Sequence, residues 1–112
     1  MGRIKTGKEG ENLAIKYLKG KGYEILGSNF RTPFGEIDII AKEKNYIVIV
    51  EVKRRNSETF GEPVLAVDRR KQVKLKKLAL FYLKLLEKEY PVRFDVIAIK
   101  DQKIEHIENA FW

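Results

Sequence analysis

The sequence contains no cysteine, which excludes disulfides and thiolate metal sites and suits a reducing cytosol. One histidine leaves no His pair for zinc. There is no glycine-rich phosphate loop and no Ser/His constellation for nucleophilic catalysis. No apolar run approaches membrane-spanning length, and the start Met1-Gly2-Arg3-Ile4-Lys5 carries no apolar signal region. Neither export nor membrane insertion is expected, and the expected location is the cytoplasm. Internal repeats and low-complexity segments are also missing. With 112 residues the chain suffices for one domain with one modest core, expected to span 1–112.

What is present is charge. The composition is 44% hydrophobic and 35% charged, with a net charge of +7. Residues 53–77 hold nine cations and three anions, so about a quarter of the chain carries nearly the whole excess. A clustered basic stretch suits a phosphate backbone, whose neutralisation releases counterions. A solvated helix face in a lysine-rich protein accounts for it equally well.

The elements read in a simple order. Thr6 and Glu9 form a capping box, after which Leu13, Ala14, Tyr17 and Leu18 recur at helical spacing, and Gly20 and Gly22 end the helix. Tyr23 to Arg31 reads as a strand, Thr32-Pro33-Phe34-Gly35 as a turn, Glu36 to Lys42 as a second strand and Tyr46 to Lys53 as a third. Arg54 to Pro63 looks like a mobile loop. A helix runs from about Asp68 to Glu89 on an apolar face of Leu75, Leu78, Ala79, Tyr82, Leu85 and Leu86, and Pro91 prevents its continuation. Arg93 to Lys100 is a fourth strand, and Lys103 to Ile107 a short fifth. The expected fold class is α/β: a mixed sheet flanked by helices, with an α-β-β-β-α-β core.

The turn at Lys44-Asn45 is the most informative feature. A tight two-residue hairpin there pairs residues whose numbers sum to 89. Glu51 then lies opposite Asp38, and Lys53 opposite Glu36, with all four on one face. Glu36 and Lys53 read as an ordinary cross-strand ion pair. Asp38 and Glu51 do not, because directly opposed Cβ atoms are about 4.5–5.5 Å apart and like charges there repel. Both sit among Ile and Val, where an unpaired carboxylate is costly. A divalent ion between them resolves the conflict, and Mg²⁺ is commonly held by one or two carboxylates.

Glu36-Ile37-Asp38 followed by Val50-Glu51-Val52-Lys53 resembles the PD-(D/E)xK nuclease superfamily. More closely, the chain resembles the YraN family of small uncharacterised bacterial proteins. The resemblance is carried by Gly10-Glu11, Tyr17-Leu18, Gly22-Tyr23, Asn29-Phe30-Arg31, Gly35-Glu36-Ile37-Asp38, Glu51-Val52-Lys53, Arg55, Ala66-Val67-Asp68, Lys71-Gln72, Arg93-Phe94-Asp95-Val96 and Asn109-Ala110-Phe111. That family is similar to archaeal Holliday junction resolvases, which implies a restriction-endonuclease-like fold. Ile37 stands where the superfamily name has proline, which has no chemical role.

The resemblance implies a Mg- or Mn-dependent endonuclease on DNA, with branched or structured DNA as the first expected substrate. Asp38 and Glu51 would bind the metal together with the backbone carbonyl of Val52, and Lys53 would orient water or stabilise charge on the phosphate. Glu11 resembles the helix-borne acid that completes the resolvase site, against a plain first-turn acid favoured by the helix dipole. Arg54, Arg55, Arg69, Arg70, Lys71, Gln72 and Lys74 are the expected nucleic-acid contacts. Resolvase-like proteins are two-fold dimers, so a homodimer is a further expectation. The residues also allow a non-catalytic nucleic-acid-binding module, or an assembly or scaffold protein. Asp95 reads as the partner of a nearby arginine, His106 as a surface residue, and Phe111 and Trp112 as packing groups.

Overall fold

The computed structural model describes residues 2–55 and 67–111, the side chains of 2–7 and of Arg55 excepted. Helix α1 (Gly2–Gly20) leads into β1 (Glu24–Thr32), β2 (Gly35–Glu43) and β3 (Tyr46–Arg55). Helix α2 (Arg69–Leu86), β4 (Val92–Lys100) and β5 (Lys103–Phe111) follow. The five strands form one sheet in the order β1-β2-β3-β4-β5. Only β3 and β4 are parallel. Parallel neighbours require a crossover, and α2 lies within it. This is the expected mixed α/β architecture, with a longer final strand than the sequence suggested.

The helices cover opposite faces. Ala14 and Leu18 of α1 pack with Ile39, Ala41, Val48, Val50, Ile97 and Ile99. Leu75, Leu78 and Ala79 of α2 pack with Ile40, Ile47, Ile49, Phe94 and Val96. Strands buried on both faces need near-continuous apolar runs, which is why β3 and β4 read as Ile/Val-rich. Each fully buried Leu or Ile contributes roughly 1.5–3 kcal/mol.

Several boundaries differ from expectation. Backbone helix begins at Gly2, so Thr6 lies inside α1 and the Thr6–Glu9 capping box does not mark its start. Its other end matches: Gly22 takes φ 94° and Tyr23 N–H donates to Leu18 O at 3.0 Å, closing the helix. Asp68 caps α2, accepting from Lys71 N–H at 2.9 Å. That helix stops at Leu86, because Glu87 adopts the left-handed conformation at φ 55°, well before Pro91 could intervene. Leu85 is 58% exposed and lies off the buried stripe. Arg54 and Arg55 continue β3 instead of opening a loop; the remaining expected loop residues, and Trp112, lie outside the described residues. Phe111 stacks on Phe94 with ring centroids 5.1 Å apart.

Candidate functional site

The turn at Lys44-Asn45 sets the register as expected: Glu43 pairs with Tyr46, Ile40 with Ile49 and Ile39 with Val50. Past that rung the ladder stops. Val52 N–H donates to the Asp38 carboxylate at 2.9 Å, so a side chain takes the place of a strand carbonyl. Extended backbone directs a residue's N–H and C=O to the same flank, which turns the Val52 carbonyl toward Asp38 as well. Alternation also breaks here, since Ile37 joins the α2-side core with Ile40.

The two acids still come together one position past the last paired rung. Asp38 lies within reach of the Glu51 charge, and its pKa is raised to about 7. Burial is the largest cause, followed by the Glu51 charge; the Val52 N–H opposes them, and the Glu11 charge adds to the rise. Glu51 is only 3% exposed. Two ammonium groups converge on its Oε2: Lys71 Nζ at 2.7 Å and Lys53 Nζ at 3.4 Å. Burial depresses the Lys71 pKa, but hydrogen bonding and charge from Glu51 outweigh it, and the net shift is upward. Among the described residues no buried side-chain N or O lacks a partner.

Glu36 does not belong to this group. It is exposed and pairs with Arg31 at 3.3 Å, so the expected Glu36–Lys53 pair is not formed. The cause is the end of the ladder at Ile39, beyond which β2 and β3 no longer follow the hairpin rule. Glu11 lies near enough for its charge to raise Asp38, but its carboxylate accepts from Asn29 Nδ2 at 2.8 Å. Among the described residues no cluster of three or more His, Cys, Asp or Glu is spaced to hold a metal ion; the acid pair is a two-carboxylate arrangement.

Residues 10–99 match the model of uncharacterised protein family UPF0102. The chain belongs to that family. It is 71% identical over 112 residues, all of both chains, to a UPF0102 protein of Thermodesulfovibrio yellowstonii. A UPF0102 protein of Persephonella marina is 50% identical over 106 residues, 94% of this chain and 91% of the relative. Another, from Caldanaerobacter subterraneus, is 47% identical over 114 residues, 95% and 93% of the two chains. The YraN-like resemblance and this family membership agree.

In this UPF0102 chain the expected basic contacts divide. Arg70, Lys71 and Lys74 line one groove on α2, and Arg69 is exposed nearby. Gln72 instead donates to Val67 O at 2.9 Å, which fastens the start of α2. Arg54 lies against Gly10 of α1, away from that groove, and the Arg55 side chain lies outside the described residues. Among the described residues no helix is long and apolar enough to cross a membrane.

Sequence reasoning missed two features. Asn29 takes φ 52° and turns its amide to Glu11, and an Asn inside a strand pattern was the available signal. His106 is not a surface residue: its side chain is 2% exposed, with Nε2 2.7 Å from Asp95. Asp95, 0% exposed, also accepts two bonds from Arg93 at 3.0 Å each and one from Asn109 N–H at 3.0 Å. Arg93 was the expected partner. Arg93 Nη1 donates to Glu43 at 2.8 Å, and Nη2, which also holds Asp95, donates to the Tyr23 hydroxyl at 2.6 Å. This second cluster therefore ties β2, β4, β5 and the residue just before β1 together.

Proposed function

We propose that this protein is a Mg- or Mn-dependent endonuclease that hydrolyses phosphodiester bonds in DNA. The observation that carries the reading is the Asp38–Glu51 pair: a half-buried Asp38 set against the buried Glu51, where burial and the Glu51 charge hold Asp38 near pKa 7. A strongly perturbed acid coupled to a specific charge partner is characteristic of functional sites.

The donor set fits the ion. Asp38 and Glu51 offer carboxylate oxygens, the Val52 carbonyl faces the same side, and all three are hard ligands suited to Mg²⁺ or Mn²⁺. The paired acids also need positive charge between them. When bound, the ion supplies Lewis acidity and a bound water of lowered pKa.

The chain's own residues do the rest. Val52 N–H holds Asp38 in one orientation. Lys53, with a side chain 30% exposed, keeps its ammonium beside Glu51 while reaching solvent, where it can position a water or meet the charge on a phosphate. Glu11, steadied by Asn29, sets the negative field around Asp38. The basic residues of α2 draw the polyanion in. Branched or structured DNA is the first proposed substrate, cut in the cytoplasm by a two-fold dimer with one site per strand.

One observation favours a second reading, a non-catalytic nucleic-acid-binding module. Lys71 Nζ stands 2.7 Å from Glu51 Oε2 and already supplies a cation to that carboxylate. A cleavage screen over duplex, junction, flap and single-stranded DNA with Mg²⁺ or Mn²⁺ separates the two. The expected result is metal-dependent cleavage that Asp38→Asn, Glu51→Gln and Lys53→Ala each abolish while binding survives. Binding with steep salt dependence and no cleavage under any condition overturns the enzyme.

A further inference from the structure

The turn between β1 and β2 presents an aromatic ring to solvent. Phe34 is 66% exposed, yet its backbone is fixed: its N–H donates to Thr32 Oγ1 at 3.0 Å, and Thr32 Oγ1 donates to Gly35 O at 3.2 Å. The turn is also pressed onto α2. A Cβ added at Gly35, whose φ is 151°, would sit 3.2 Å from Lys74 Cε and 3.4 Å from Leu78 Cδ1. Where turn and helix meet, Phe34, Arg70, Lys71, Val73, Lys74 and Lys77 line an open groove of about 580 Å³. Its acid, Asp68, is engaged as the N-cap of α2.

Four cations around an exposed ring and a 43% exposed valine set requirements on the occupant. An apolar peptide would leave Arg70, Lys74 and Lys77 without a counter-charge. Duplex DNA offers phosphates, but its base faces are stacked inside and cannot cover Phe34. A single strand offers both, with phosphates for the cations and free base faces for the ring. Lys71 belongs to this groove and to the acid pair at once. From Lys71 to Lys77 the helix rises roughly 9 Å, about the span of two to three nucleotides.

We infer that this groove binds single-stranded nucleic acid, with a base stacked on Phe34 and its phosphates along Arg70, Lys74 and Lys77, and that it delivers the strand to the acid pair. The delivery step rests on the nuclease reading; the binding step does not.

The test is fluorescence anisotropy of the full chain in EDTA, so that no cleavage intervenes, with labelled oligo-dT and a blunt duplex of equal length. Phe34→Ala is expected to weaken oligo-dT binding roughly 5- to 100-fold and leave duplex binding within about twofold, while Phe34→Trp restores it. Lys74→Ala with Lys77→Ala is expected to weaken both and to lower the salt slope for oligo-dT by roughly 1.4. Thermal melts confirm that each variant is folded. Unchanged oligo-dT binding by Phe34→Ala, or equal losses on both probes, overturns the inference. So does a dimer in sedimentation that Phe34→Ala dissociates, because a second copy would then be the occupant. Phe34-dependent binding by a protein that cleaves nothing sinks only the nuclease reading. Cleavage with a Phe34→Ala variant that binds oligo-dT normally sinks only the groove.

Discussion

Two aspartates of one sheet, Asp95 on β4 and Asp38 on β2, receive opposite treatment, although Asp95 sits only one rung from Asp38's neighbour Glu51 on the β3–β4 ladder. Asp95 pairs in register with Val50, and Glu51 with Val96. Asp95 is wholly buried, and burial alone would push its pKa up; His106, Arg93 and the Asn109 N–H overrule it and hold the carboxyl below its ordinary range. Asp38, against Glu51, has one backbone donor of its own and a second acid for company, and it goes up to about 7. Asp95 is saturated with donors and serves as a structural knot. At the Asp38–Glu51 pair the compensation is incomplete on the Asp38 side, which is where the proposed cation would act.

The largest test of that contrast is Asp95→Ala. It leaves Arg93 without its buried anion and is expected to destabilise the fold by about 3–5 kcal/mol, read from the urea midpoint. Next is cation linkage. Mg²⁺ at a hundred times its dissociation constant should stabilise the wild type by about 2.7 kcal/mol, and Asp38→Asn should remove that gain; an equal gain in the variant would place the ion elsewhere. The smallest effect is in pH. Between the ordinary carboxyl value of 3.8 and about 7, the native state holds the Asp38 proton and the unfolded chain does not. Stability from this group therefore falls as pH rises through that window. Asp95 works in the opposite sense: its lowered pKa lends stability above the ordinary carboxyl value, lost as pH falls through the folded one. Asp38→Asn should flatten the decline and stabilise the protein at pH 8 by about 1–3 kcal/mol, measured by urea unfolding at pH 5 and 8.

How far this was legible depends on whether the governing contact is local. A two-residue turn at Lys44-Asn45 dictates its own register, so the meeting of Asp38 and Glu51 could be read from spacing. The start of α2 near Asp68 could be read for the same reason. Glu36 could not, because the pairing rule fails where the Asp38 side chain intrudes on the ladder. His106 looked peripheral because the chain gives no local sign that β5 will lay it on Asp95, through an irregular register between Phe94 and Val96 and a left-handed Asn109 at φ 52°. Lys71 was expected only among the nucleic-acid contacts, because its partner Glu51 lies across the crossover and has no signature in the helix itself.

The parallel β3–β4 pairing has a kinetic consequence. β1, β2 and β3 are joined by short turns and form contacts of low sequence separation, whereas β4 must close a loop that spans α2 before it can dock. Loop closure of that kind slows folding. The meander that brings the two carboxyls together can assemble early, and the ammonium of Lys71 arrives only with the late closure. If the acid pair binds the proposed divalent ion, adding that ion during refolding should act mainly on the early phase, before the protein's own cation is in place.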